Sequence, residues 1–192
     1  MTQTATPPTT AVATTSATTT WKIDPAHSAA EFKVKHMMIS YVRGKFSGIS
    51  GVLHRYEADH TRSTLEVSID TSTLNTLDAQ RDGHLKGADF LHVENFPAMT
   101  FKSTRIERKG DGYAVTGDLT IRGVTRPVTL TVEEVSEPAK DPWGNTRIGL
   151  TATAKINRKD FGLTWNTTLE TGGVLVGEDV GITLDVQLVK AA

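Results

Sequence analysis

The chain has 192 residues, with 21 Lys+Arg against 22 Asp+Glu and a formal net charge of −1, which suits one domain of ordinary size. It lacks the clustered cations that nucleic-acid binding needs, and no apolar run approaches the roughly 20 residues required to cross a bilayer as a helix. Zero cysteines exclude disulfides, thiol catalysis, zinc fingers, iron–sulfur clusters and c-type haem attachment.

Residues 1–20 hold ten Thr, four Ala and two Pro and carry no charge. Such a composition cannot bury enough apolar surface to offset its conformational entropy, so it is expected to be a disordered tail preceding a folded domain over 21–192. It contains no Lys, Arg or Leu, whereas a secretory signal needs a basic start and an apolar core of about 7 to 15 residues. A cytoplasmic location is therefore expected.

From Trp21 onward the dominant pattern is alternation, which at period two means strand. A short opening strand is expected near 21–24, followed by strands near 28–36 and 45–57. Leu65, Val67 and Ile69 mark the next. The segment 78–91, DAQRDGHLKGADFL, breaks the alternation: Asp78 is placed to cap a helix, and Leu77, Arg81 and Leu85 recur at helical spacing. Strands resume near 99–107, at Tyr113, Val115, Leu119 and Ile121, at Val128, Leu130 and Val132, and at Ile148, Leu150, Ala152, Ala154 and Ile156. A second helical turn is expected at 157–160, before a long loop rich in glycine and polar residues. The last strand is the plainest: Val180, Ile182, Leu184, Val186 and Leu188 alternate with Gly181, Thr183, Asp185 and Gln187.

This makes about nine segments in a mainly β domain with one or two short helices. Turns at Asp111-Gly112 and Gly123-Val124 point to antiparallel neighbours, the second as a type II′ turn. Eight or so antiparallel strands with one apolar face fit a two-sheet sandwich or a closed barrel, and closure removes the edges that invite aggregation. An eight-stranded barrel is wide enough to be filled by side chains or to hold one small ligand. For Leu65, Val67, Ile69, Val115, Leu119, Leu150 and Ile182 both uses fit the pattern.

Among polar residues, the strand over 28–36 puts Ala30, Phe32 and Val34 on one face, and His36 falls on that side. It suits either a core histidine bonded to backbone or a contact to a ligand's polar head; His27 reads the same way. Arg81 and His84 share a helical face, which would let them serve a tunnel mouth or pair with Asp78 or Asp82. Tyr41 and Arg43 fit a rim. The six histidines include no HExxH, and the spacings of His54 to His60 and His84 to His92 match no compact ligand set, so no metal is expected. GxSxG, Walker A and GxGxxG motifs are absent.

Four blocks carry a resemblance: WKIDPAHSAAEFKVKHMMISYVRGKF from Trp21, RDGHLKGADFLHVENFP from Arg81, GDLTIRGVTRPVTL from Gly117 and NRKDFGLTW from Asn157. They resemble the YceI-like family, in the same order over 21–190. The resemblance implies an eight-stranded antiparallel, lipocalin-like barrel around a long apolar tunnel, binding a polyisoprenoid or isoprenoid-quinone lipid, commonly as a homodimer. Phe32, Val34, His36, Leu65, Val67, Ile69, Arg81, His84, Val115, Leu119, Leu150 and Ile182 are then the candidate ligand contacts. The lipid is the expected ligand, with no other cofactor and no catalytic residues. Many relatives work in the periplasm, from which the N-terminal segment here departs. Competing readings are an acid–base enzyme acting on an apolar substrate in the same cavity, since fold does not dictate function, and a ligand-free dimeric interaction module.

Overall fold

The computed structural model describes residues 17–170 and 172–191; the expected tail falls outside them up to residue 16. The elements are β1 (Thr18–Ile23), β2 (Ala29–His36), β3 (Ser40–Phe46), β4 (Ile49–Tyr56), β5 (Thr64–Asp70), α1 (Ala79–Lys86), β6 (Ala98–Lys109), β7 (Gly112–Ile121), β8 (Val124–Val135), β9 (Ala139–Lys140), β10 (Thr146–Asn157) and β11 (Val176–Lys190).

All strands join one antiparallel sheet in the order β3-β2-β11-β1-β4-β5-β6-β7-β8-β10-β9, and β11 also pairs with β10, which closes the ring. The 15-residue β11 makes closure possible. One edge runs along β10 from Asp179 to Val189. The other pairs first with β2, from Val176 to Asp185, and then with β1, from Leu188 to Lys190. β1 and β2 thus occupy one barrel position as a broken strand, as do β3 and β4 beside them, and the barrel is eight-stranded. The mainly β, closed-barrel expectation stands; α1 is the single α-helix among the described residues, and the expected second turn is a 3-10 helix, Arg158–Phe161.

Several boundaries differ. The first strand begins at Thr18, not Trp21: Thr18, Thr19 and Thr20 pair with Tyr56, Arg55 and His54, and the Thr19 hydroxyl accepts from the fully buried Trp21 indole at 2.8 Å. A threonine-rich segment is well suited to a strand once a partner exists. The run expected near 45–57 is split, because the chain kinks at Gly48, whose N–H is held by Thr73 Oγ1 at 3.1 Å. The hairpin turns lie one residue earlier than expected. Lys109 faces Gly112, so Gly110-Asp111 form the first loop, with positive φ only at Gly110. Ile121 faces Val124, and Arg122 and Gly123 both take positive φ, which is type I′ rather than II′.

α1 starts where the sequence puts its cap: the Asp78 carboxylate accepts from Arg81 N–H at 3.0 Å. Inside the helix, Asp82 accepts from Thr76 N–H and Oγ1 at 2.8 and 2.6 Å, tying the helix to the preceding loop. With its neighbours α1 closes one end of the barrel over a buried cluster that includes Phe46, Leu74, Phe90, Phe161 and Leu163. Two further clusters line the wall, one around Trp21, Ile49, Ile148 and Leu188 and one around Phe101, Val115, Val132 and Ala152.

Candidate ligand site

Between these clusters the barrel is hollow. A cavity of about 550 Å³ runs through it, within the ~300–1,000 Å³ range of small-molecule sites. The alternation of each strand aims one row of side chains inward, and Leu65, Val67, Ile69, Leu119, Leu150 and Ile182 all face this space while remaining only half-buried. Inward-facing apolar side chains in a filled core would be fully buried; here they line a void.

Phe32, Val34 and Val115 also line the cavity, so nine of the twelve candidates meet on one surface. His36, Arg81 and His84 do not. His36 ends β2, opposite Ser40 and Val176, at the tip of a hairpin that runs past the cavity wall. Arg81 turns back onto its own loop, donating to Thr76 Oγ1 at 2.8 Å and Thr76 O at 2.9 Å. His84 lies on the outside of the closed end, 3.0 Å from Asp89 and edge-on to Phe90 and Trp165. The helical pair therefore staples the end cap instead of serving a mouth. His27 is likewise external, bonded to Asp24 at 2.9 Å.

Four polar groups of the cavity gather at the opposite end, near the β4–β5 and β6–β7 turns: Arg55, His60, Arg108 and Tyr113; Glu31, Ser63, Asp111, Ser136, Glu137 and Arg158 also reach its lining. Arg55 donates through Nε and Nη2 to His60 Nε2, at 3.2 and 3.0 Å. A guanidinium can only donate, so the His60 proton sits on Nδ1, which lies 3.0 Å from Tyr113 Oη and donates to it. The Tyr113 O–H is then free to donate into the cavity, having no other partner among the described residues. Burial, followed by the adjacent Arg55 charge, holds His60 below its ordinary pKa, which keeps the relay in its neutral form. The Arg108 guanidinium lies 5.6 Å from the Tyr113 ring centre.

Sequence reasoning missed this relay: His60 was weighed only for metal, and Arg55 and Tyr113 come close only once β4 and β7 share a barrel end. It missed Arg158 as well. Arg158 is 4% exposed and meets no carboxylate within ion-pair distance among the described residues; instead it donates to the carbonyls of Gly177 at 2.8 Å, Trp165 at 2.9 Å, Val176 at 3.3 Å and Leu163. Burial pushes its pKa down. Its work is to fasten the loop after the 3-10 turn to the start of β11. Among the described residues no three His, Asp or Glu side chains are grouped to hold a metal ion, and no helix is long and apolar enough to cross a membrane.

Comparison with known proteins matches this architecture. The YceI-like domain model matches residues 21–188. A UPF0312 protein of Serratia proteamaculans is 40% identical over 146 residues, 75% of this chain and 76% of that protein. The Campylobacter jejuni YCEI protein superposes with a TM-score of 0.68 at 31% identity, covering 83% of this chain and 91% of that one. Two more distant structures share the fold. Burkholderia cenocepacia BcnA has a TM-score of 0.74 at 23% identity, with 86% and 98% coverage. A polyisoprenoid-binding domain from Saccharophagus degradans has 0.62 at 15%, with 89% and 98% coverage. With the family model spanning nearly the whole barrel, the chain belongs to the YceI-like family.

Proposed function

We propose that the barrel is a non-enzymatic carrier or store for one long-chain isoprenoid-type lipid. The chain of the lipid would lie among Val67, Leu119, Leu150 and Ile182, and its polar head would sit at the Arg55–His60–Tyr113 end. The observation that carries this reading is the hollow interior, walled mainly by apolar side chains, with Arg55, His60, Arg108 and Tyr113 grouped at one end. The description of the Saccharophagus degradans domain as polyisoprenoid-binding supports the ligand class. Burying ten methylenes in such a wall is worth about 8 kcal/mol before ordering costs are subtracted, and an apolar chain needs no polar partner along the way. At the polar end the free Tyr113 hydroxyl and Arg108 suit an oxygen-bearing head. Both ring nitrogens of His60 are already engaged, so the histidine of the cavity has no free lone pair to act as a general base; this favours binding over acid–base catalysis.

Mass spectrometry of an organic extract of freshly purified protein tests the reading, with an expected yield near one isoprenoid lipid per chain. Protein that yields none, and that takes up none when offered geranylgeraniol, would overturn it. Tyr113→Phe should keep the chain-length preference but weaken retention of the lipid about five- to tenfold, the value of one hydrogen bond to the head.

A further inference from the structure

The β2–β3 hairpin carries a feature that ligand binding inside the barrel does not use. Its tip, Met37-Met38-Ile39, is exposed: 41%, 48% and 78% respectively. The tip is also well ordered by contacts, since Met37 N–H donates to Leu175 O at 2.7 Å and Ile39 N–H to His36 O at 3.1 Å. Met37 and Met38 both adopt positive φ, 51° and 62°, a conformation that costs a bulky L-residue of order 1 kcal/mol. Three apolar side chains are thus held out in water by a strained but fixed loop.

Behind the tip lies a cationic collar. Lys33, Lys35 and Arg43 surround the exposed Tyr41 ring, with their charged groups 5.8, 4.3 and 5.9 Å from its centre. Lys33 and Arg43 are direct cross-strand partners, and like charges directly opposite destabilise a sheet. No ion pair involves any of the three among the described residues, whereas two residues nearer the barrel body Glu31 faces Lys45 with opposite sign. Lysines often guard an edge strand, but β2 is paired on both sides, to β11 and β3, so Lys33 and Lys35 need another explanation. An apolar tip, an exposed tyrosine and an unneutralised basic collar together match the layers of an anionic lipid bilayer: acyl region, interface and headgroup plane.

We propose that the β2–β3 hairpin docks the protein on anionic membrane surfaces, with Met37, Met38 and Ile39 entering the interface and Lys33, Lys35 and Arg43 meeting the lipid phosphates. Val34, Val176 and Val180, on the strands leading to the tip, line the cavity, and Val180 packs on the cluster under α1, so docking brings the α1-capped end of the cavity to the membrane. The proposal does not rest on the identity of the internal ligand, because vesicles probe the outer surface and extraction probes the interior.

The test is co-sedimentation of the full chain with vesicles of equal parts phosphatidylcholine and phosphatidylglycerol, and with phosphatidylcholine alone. Binding is expected to the first and not the second, and should disappear in 0.5 M NaCl as the charges are screened. Lys33→Gln with Lys35→Gln should lower partitioning about 25-fold, at roughly fivefold per cation, and Ile39→Ser about tenfold. Lys140→Gln, on β9 at the other end, should change nothing. Circular dichroism confirms that each variant is folded. Wild-type protein that ignores anionic vesicles, or tip variants that bind as well as wild type, would overturn the proposal. So would light scattering that shows a dimer which Ile39→Ser dissociates without affecting vesicle binding, since a second copy would then be the partner of the tip.

Discussion

Val67→Glu turns the hollow interior into a measurable quantity. Val67 sits at mid-strand on β5, opposite Gly51 on β4 and Phe101 on β6, and faces the cavity. A carboxylate in a packed core would cost most of the ~5–15 kcal/mol that holds a domain together. A cavity of about 550 Å³ can admit water once the lipid has left, so the penalty should be partial. If the glutamate pKa in the native state is raised by about two units from its usual 4.3, the cost is about 2.7 kcal/mol. The sign follows from proton binding: the native state holds the proton to higher pH than the unfolded chain does. The variant should therefore match wild type below about pH 4, lose stability as pH rises to about 6, and level off beyond. Urea denaturation of wild type and variant from pH 4 to 8, with lipid extraction of the same samples, reads both effects. The expected result is a folded variant, about 2–4 kcal/mol less stable at pH 7 and emptied of lipid. Full lipid occupancy, or a stability difference that does not vary with pH, would refute the inward placement of Val67.

Arg158→Met should cost about 3 kcal/mol or more, because four carbonyls lose their donor inside the protein; a denaturation midpoint close to wild type would contradict the clamp role. Asp24 is held at a pKa of about 2, first by Arg147 and then by His27, and Arg147 also bonds Asp141 at 2.7 Å. Because the native pKa lies below the unfolded one, this stabilisation is present above about pH 4 and lost as pH falls towards 2; Arg147→Gln should flatten the acid limb of a thermal melt, and an unchanged limb would exclude the network as its source. A chain beginning at residue 21 should be less stable than one beginning at residue 17 by about 2 kcal/mol. It loses three paired residues of β1 and the Thr19 acceptor of the Trp21 indole, and equal melting temperatures would show that Thr18–Thr20 contribute nothing.

Where the alternation was strict, as along β10 and β11, strand and inward face could be read from residue type, but not the pairing register, which shifts between Thr151 and Ala152 and between Val176 and Val180. β3 escaped because its inward row is broken by Gly44. A Cβ there would come within 2.5 Å of the Phe32 ring, so the glycine answers to a neighbour on β2 and interrupts the period. Hollow and filled barrels share one inward pattern, so Leu65 or Ile182 alone could not distinguish them; the distinction lies in how far opposite walls stand apart. Arg81 and His84 were misplaced for a different reason. Helical spacing gives relative direction along an element, not the direction in which that element faces the barrel, and here Thr76 and Asp89 claim both side chains. Arg55 and His60 flank one turn, but Tyr113 lies 53 residues beyond His60, and only the stacking of β4 to β7 side by side in the sheet brings it to them.

Closure of the barrel has a consequence for how the molecule is made. Trp21 pairs with Lys190, and Ala191 N–H donates to Thr20 O at 2.8 Å, so the first strand, which meets β4 early, finds a partner for its other edge only when β11 has left the ribosome. Contacts of such long sequence separation slow folding, and until then β1 and β10 each present an unsatisfied edge to other nascent chains. The same proximity makes the ring a candidate for circular permutation. Joining the two ends and opening the Gly110-Asp111 turn would turn the slowest contact into a local hairpin, and refolding by stopped-flow should accelerate while the barrel remains the same.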